Sequence, residues 1–420
     1  MKFNKVLIAL ALVMLFAVAL SAYVPAATPP ASTPPTDKIG VVAIKSGEPI
    51  HIAYWLVVAG PDASLGEDSK RGIEIAIDDK GGKLLGRPIK LSGTDSACNA
   101  EGGTTAATKL SADSTIVALI GSSCSSEAAA GVPILTKAGF TTVSPSNTRT
   151  AFTVPPRPAG FEGYLRTAHE DAVQGKIASE FIWNQLKLKT AATIHDGSPY
   201  SKGLVEDFAK SFKQLGGKLT SEEAIDPNQT DMRSVLTKVS ADKPQFVYYP
   251  VFIAAGGHIT RQARETTGLK DAALMGADGM FSPDFMKAAG SEAEGMYLSS
   301  PDVTAFAAGY KEFLEKHRKK YGGEPLSIFH AHTYDAANII FNAIEKVAVT
   351  GPDGTVYIGR QALRDALYAT KNHKGLTGTL SCDEHGDCSD PAIAICKITA
   401  REAKDGKWPP EKPFWVPPKN

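Results

Sequence analysis

From Ile50 to about Ala289, short apolar runs alternate with longer stretches whose apolar residues recur at helical spacing, the pattern of repeated strand, helix, strand units. The candidate strands are HIAYWLVVAG, RPIKLSG, STIVALIGS, GFTTVSPS, KTAATIHDGS, KLTSEEAI, PQFVYYPVF and AALMGADG. Between them lie helix-length segments such as SKRGIEIAIDDK, AEGGTTAATKLSAD, SSEAAAGVPILTKA, AVQGKIASEFIWNQLK, SKGLVEDFAKSFKQL and GGHITRQARETTG. The alternation predicts an α/β fold with largely parallel sheets. After Gly290 the character changes to long helical stretches, TAFAAGYKEFLEKHRKKYG and SIFHAHTYDAANIIFNAIEKVA, then RQALRDALYAT and a cysteine hairpin. Such returning segments predict two lobes woven together by crossovers.

Most of the strands run straight into a polar turn that opens the next helix: AGPDASLGED, IGSSCSSE, SPSNT, IHDGSPYSKG and GADGMFSPD. In open α/β sheets, ligands sit in the crevice outside the carboxyl ends of the strands, where helix amino termini offer unpaired N–H groups. Two of these turns, IGSSCSSE and SPSNT, follow consecutive strands and are rich in hydroxyls. A serine or threonine there either caps a helix or faces the crevice, and both readings stand.

The first residues, MKFNKVLIALALVMLFAVALSA, combine two lysines, an apolar run from Val6 to Leu20 and small residues. That run is shorter than the roughly 20 residues needed to cross a bilayer, so residues 1–22 read as a secretory signal peptide, an uncleaved anchor being the rival. No cysteine follows the run to carry a lipid. Residues 23–47, with VPAATPPASTPPTDK at their centre, read as a Pro/Thr-rich linker, and AKDGKWPPEKPFWVPPKN is part of a Pro-rich tail at 401–420. Lysine plus arginine (45) balance aspartate plus glutamate (45), and no basic block interleaved with aromatics stands out, so nucleic acid is excluded as a partner.

Export places the five cysteines in an oxidising compartment. Cys98 follows the second strand and Cys124 the third, so if those strands are neighbours both thiols lie at one sheet edge within bridging reach. Cys382 and Cys388 flank a tight acidic turn and suit a local bridge, while Cys396, in the alternating run PAIAICKI, reads as a packed core thiol. Asp383, Glu384, His385 and Asp387 crowd the turn, but their spacing matches neither an EF-hand loop nor a zinc motif.

Catalytic patterns are missing. GSSCSS lacks the second glycine of a nucleophile elbow, and Ser125 has no local histidine and acid to activate it. Neither a dinucleotide nor a nucleoside triphosphate cradle is present, and His330 and His332, two apart, fall on different faces of a helix. No cofactor or metal is implied.

The segment CSSEAAAGVPILTKAGFTTVSPSNT, preceded by TDSAC, resembles the substrate-binding proteins of branched-chain amino-acid ABC importers, the leucine/isoleucine/valine-binding type. GEDSKRGIEIAIDD, RTAHEDAVQGK, IHDGSPYSKG, FVYYPVF, RQARETTGLK, GADG, EGMYLSSP and the HTYDAAN helix match in unbroken order from about Ile50 to Lys397. The resemblance implies a type I periplasmic-binding fold: two Rossmann-like lobes with parallel sheets, joined by three hinge crossovers and closing on a ligand. The expected lobes are 48–170 plus 299–380, and 171–298 plus 381–400, with crossovers near 168–171, 297–300 and 379–383.

By the same resemblance, Ser125 and Thr148 would hold a ligand carboxylate through hydroxyl and backbone N–H groups. The Ser146 carbonyl and Asp278 would accept from an α-ammonium, and Tyr200 would close over the main-chain atoms. These roles suit a zwitterion, which needs donors at one end and acceptors at the other; a simple turn-forming role for Asp278 before Gly279 is the alternative. The family usually has glutamate where this chain has Asp278. Leu65, in the first loop, and Phe252 stand where tyrosines are common, which implies a less polar pocket lined by Leu65, Phe252 and Met280; core packing is the other reading for Phe252 and Met280.

Together these readings predict a non-enzymatic, monomeric receptor, outside the cytoplasmic membrane in the periplasm or on its outer face. It would capture a small apolar or branched-chain amino acid for a membrane ABC permease. The alternatives are an amide, a short aliphatic acid or an aromatic acid as ligand, a sensory role, and a hydrolase.

Overall fold

The computed structural model describes residues 35–418, so the expected signal peptide at 1–22 lies outside the described residues. Two six-stranded sheets form the two lobes. In the first the order is Lys83–Leu84, Arg87–Asp95, Ile50–Leu56, Ile116–Gly121, Thr142–Ser144, Tyr164–Arg166. Every pairing is parallel except that of Lys83–Leu84, which folds back on its neighbour. The strand Ile50–Leu56 is paired on both sides and buried on both faces. That is why IHIAYWL reads as a nearly continuous apolar run. Ile50, Ile52 and Leu56 join one core with residues of the helices Ala63–Asp79 and His330–Val347; Ala53 and Trp55 join another with the helices Ala100–Ser111 and Ser125–Lys137.

The second sheet runs Ile393–Lys397, Tyr297–Pro301, Ala273–Gly276, Phe246–Tyr248, Thr190–His195, Lys218–Ala224. It too is parallel apart from one edge, where Ile393–Lys397 runs antiparallel to Tyr297–Pro301. Its two faces carry separate cores, one with Val247, Leu274 and Leu298, the other with Phe246, Tyr248 and Met275.

Several boundaries differ from those read in the sequence. Val41–Ile44, inside the expected linker 23–47, is a strand that pairs with Val356–Gly359 and buries Val42 and Ile44. The Asp37 carboxylate accepts the N–H groups of Gln361 and Ala362, so the chain is already anchored there. The strand Tyr297–Pro301 belongs whole to the second sheet, so the chain leaves that lobe after Pro301 rather than at 299. Residues 381–388, expected in the second lobe, belong to the first: Cys382 N donates to Thr370 O, Cys388 N donates to Arg166 O, and both cysteines share a core with Leu165 and Leu363. The Pro-rich tail carries the short helix Ala400–Ala403, and Trp415 makes an antiparallel bridge to Ile395. Backbone hydrogen bonding explains each shift, since short segments with weak hydrophobic patterning take their place from the strand edge they meet.

Both cysteine pairs are disulfide-bonded, Cys98–Cys124 across 26 residues and Cys382–Cys388 across 6, and Cys396 is free and buried. The acids beside the small bridge serve the hairpin: Asp383 Oδ1 accepts from His385 N and Asp387 N, and Asp387 pairs with the buried Arg166. No helix among the described residues is long and apolar enough to cross a membrane.

Candidate functional site

The carboxyl ends of both sheets face each other across a cleft. In the first lobe, the strand Ile116–Gly121 turns through Ser122 to Cys124 into the helix Ser125–Lys137, so Ser125 is the first helical residue. Glu127 holds that turn. Its carboxylate accepts from Cys124 N at 2.8 Å and from Cys98 N at 2.7 Å, tying the helix start to both disulfide cysteines. Burial pushes the Glu127 carboxyl up to about 7 against these stabilising bonds.

The neighbouring SPSNT turn caps no α-helix. Ser144 Oγ instead accepts from Asn147 N, and Ser146 Oγ donates to Ser123 O, which locks the two hydroxyl turns together.

The second lobe contributes Tyr200 from the first turn of the helix Pro199–Gln214, Phe252 before the helix Ile253–Glu265, and Asp278 just beyond the strand Ala273–Gly276. Ser198 caps the first of these helices by accepting from Ser201 N. The lobes are closed on each other. Ser64 Oγ lies 2.8 Å from Ser282 Oγ, Ile253 N donates to Asp62 Oδ1 at 3.2 Å, and Thr150 Oγ1 donates to Asp207 Oδ2 at 2.8 Å.

Between them lies a cavity of about 20 Å³. Six of the residues named from the sequence line it: Leu65, Ser125, Ser146, Tyr200, Phe252 and Asp278. At this size only something like a single water fits, so a larger ligand enters with the lobes apart. Thr148 is not on the wall; it is buried behind it, its hydroxyl beside the Asp171 carboxyl and its carbonyl accepting from Asp171 N. Met280 is a correction: it lies fully buried in the core of the second lobe, against Gly256 and Gly276, and does not line the cavity. Leu65 sits in the first turn of the helix Ala63–Asp79 rather than in a loop.

Asp278 is the single charged residue on the cavity wall and is 2% exposed. Tyr200 Oη donates to its Oδ1 at 2.8 Å and Gln174 Nε2 donates to the same oxygen at 2.9 Å, leaving Oδ2 without a partner among the described residues. Burial, and then the charge of Asp278, hold the Tyr200 phenol well above its ordinary value, so it remains an O–H donor. Across the cavity, Ser125 has a buried hydroxyl without a partner among the described residues, at a helix amino terminus. The wall therefore has a negative pole on one lobe and a hydrogen-bond-donating pole on the other.

Sequence reasoning missed three residues. Phe329 lines the cavity from the loop before the helix His330–Val347. Gln174, inside AVQGK, orients Asp278. Asp171 is fully buried with neither oxygen in ordinary hydrogen-bond geometry, although the Thr148 hydroxyl is close enough to favour its ionised form; burial outweighs this and raises its pKa well above the usual range. A buried acid at a helix start is invisible in sequence, where an aspartate in that place reads as a first-turn residue complementing the helix dipole.

A family model described as Periplasmic binding protein matches residues 49–393. The chain belongs to the periplasmic binding protein family. As a periplasmic binding protein, it has the type I fold and is a non-enzymatic, small-ligand-binding component of the ABC-transporter type. It is 28% identical over 344 residues to the leucine-, isoleucine-, valine-, threonine- and alanine-binding protein of Pseudomonas aeruginosa, covering 81% of this chain and 88% of that one. Among solved structures, a branched-chain amino acid transporter substrate binding protein from Streptococcus pneumoniae, in complex with isoleucine, superposes with a TM-score of 0.74 at 26% identity, covering 85% of this chain and 98% of that one. A solute binding protein from R. palustris in complex with benzoate reaches 0.71 at 21% identity, covering 87% and 96%, a likeness of fold alone.

Proposed function

We propose that this periplasmic binding protein captures a small apolar or branched-chain amino acid in the cleft and delivers it to a membrane ABC permease. The observation that carries this reading is Asp278: a buried carboxylate without a cationic partner among the described residues, opposite a helix amino terminus. An α-ammonium supplies the missing cation, and the α-carboxylate takes the Ser125 hydroxyl and the N–H groups at the helix start. Thr148, set behind the wall, steadies the Ser125 side rather than touching the ligand. Leu65, Phe252 and Phe329 leave an apolar side chain as the third requirement. Contacts from both lobes favour the closed form, as a two-lobe trap needs.

The second reading is a small aromatic or aliphatic acid, favoured by the aromatic wall of Tyr200, Phe252 and Phe329. Its carboxylate would leave Asp278 unpaired in the closed cleft, which is the argument against it. Titration calorimetry of the ligand-stripped protein against the common amino acids, benzoate and short aliphatic acids separates the two. In the amino-acid reading, leucine, isoleucine or valine binds and Asp278→Ala costs about 2–5 kcal/mol of affinity. Binding of benzoate alone, undiminished in Asp278→Ala, would establish the second.

A further inference from the structure

His169 lies on the first crossover, between the strand Tyr164–Arg166 of the first lobe and the helix Asp171–Glu180 that opens the second. It is buried and touches both lobes. On one side its ring stacks on Phe329, which lines the cavity from the first lobe, with centroids 6.2 Å apart and planes at 17°. On the other, its Nε2 lies 2.8 Å from Gln174 Oε1. The Thr167 hydroxyl donates to His332 O at 2.8 Å and fastens the crossover to the helix His330–Val347.

The surroundings of Gln174 fix where the proton of the His169 ring sits. One end of the Gln174 amide lies 3.1 Å from Ser299 O, a backbone carbonyl that can only accept, and 2.9 Å from Asp278 Oδ1. That end is therefore the NH₂ group, and the end facing His169 is the amide oxygen. The oxygen needs a donor, so His169 carries its hydrogen on Nε2. Without that donor, the amide is free to turn its oxygen toward Asp278 and set two acceptors against each other. A second proton on the ring would sit on Nδ1, which is buried without a partner among the described residues.

The charged groups around the ring are otherwise engaged. Arg166 pairs with Asp387 and with Glu170, the Asp171 carboxyl lies beside Thr148, Asp278 accepts from Tyr200 and Gln174, and burial keeps His332 neutral. Burial outweighs the attraction of Asp278 and Asp387 and holds the His169 ring below its ordinary value.

We propose that His169 is a positioning residue of the ligand site: as the Nε2–H tautomer it turns the Gln174 NH₂ group toward Asp278, and acid, by adding a proton at Nδ1, breaks this dry packing and opens the lobes. This rests on the reading in which Asp278 receives an α-ammonium. With the lobes apart the ring returns toward 6.5, so its contribution to affinity is full above that value and is lost as pH falls below it.

Two measurements test it. In ligand-stripped protein labelled with ¹⁵N at histidine, the His169 ring, assigned by its loss in His169→Gln, should show Nε2 protonated and Nδ1 bare at neutral pH. Calorimetric titration with leucine, isoleucine and valine should then show affinity falling roughly three- to tenfold in His169→Leu, which cannot donate to Gln174. His169→Gln, whose amide N–H₂ lies where Nε2 lay, should restore most of it and flatten the loss of affinity below about pH 6.5. The contribution of Asp62 is common to all three chains. A proton on Nδ1 alone overturns the proposal, as does parental affinity in His169→Leu or a pH profile of His169→Gln parallel to that of the parent. Silence of the parent toward all three amino acids would overturn the amino-acid reading and this proposal with it, whereas binding by the parent with unaffected variants overturns this proposal alone.

Discussion

Gln174 Nε2 donates to Asp278 Oδ1 at 2.9 Å, so a helix of the second lobe orients the one charged group on the cavity wall. The same amide nitrogen donates to Ser299 O and Ser299 Oγ, and Gln174 Oε1 lies 2.8 Å from His169 Nε2. His169 belongs to the first crossover and Ser299 to the strand that precedes the second. One side chain therefore connects the cavity-lining carboxylate to two of the three links between the lobes. Burial lowers the pKa of His169, which keeps its ring neutral at physiological pH.

Replacing Gln174 by leucine removes this connection and leaves the shape broadly filled. Hydrogen bonds to charged groups contribute about 1.5–3 kcal/mol, so Gln174→Leu should weaken ligand binding by roughly ten- to a hundredfold. Calorimetric titration measures it. An unchanged dissociation constant would show that Tyr200 alone suffices to orient Asp278.

Glu127 makes stability depend on pH in a defined direction. Its carboxyl rises from an ordinary 4.5 to about 7 in the folded protein because burial outweighs its bonds to Cys124 N and Cys98 N. A raised folded-state value means a contribution fully present below about 4.5 and lost as pH climbs through about 7. Thermal unfolding of the parent chain should therefore shift to lower temperature across that window. Glu127→Gln should remove much of this slope while losing one of the two bonds. A variant with the parental slope would assign it to other buried acids, such as Asp335.

Closure carries a pH dependence of its own. Asp62 accepts from Ile253 N across the cleft, and burial there raises its pKa to about 6. With the lobes apart the group returns toward 3.8, so the closed form gains most from Asp62 below that value and loses the gain as pH rises through 6. Ligand affinity measured between pH 4 and 8 should fall less steeply in Asp62→Asn than in the parent. Parallel curves would place Asp62 outside the closure equilibrium.

The Cys98–Cys124 bridge closes a 26-residue separation at the rim of the cleft. In the chain-entropy model a loop of this size stabilises by about 3 kcal/mol. Replacing both cysteines by serine should lower the denaturant midpoint accordingly, and it should weaken ligand binding as well, because the helix start that carries Ser125 loses its clamp. Loss of stability with unchanged affinity would limit the bridge to a structural role.

The periodic alternation of apolar and amphipathic runs determined the α/β class and the parallel strands, because a strand buried on both faces must be apolar along its length and a covering helix must be amphipathic. It also placed the polar turns at one sheet edge; of the eight ligand or pocket residues named by the family resemblance, six line one cavity. Tertiary structure alone decided the rest. Thr148 and Met280 lie behind the wall because depth within a layer has no sequence period. The strand Val41–Ile44, the hairpin at Cys382–Cys388 and the tail at Trp408 and Trp415 took their positions from edges and surfaces supplied by remote parts of the chain. Gln174 and Asp171 gained their significance in the same way: an ordinary helix start was buried behind the cavity wall by remote parts of the chain, and burial then changed what a carboxylate and an amide there can do.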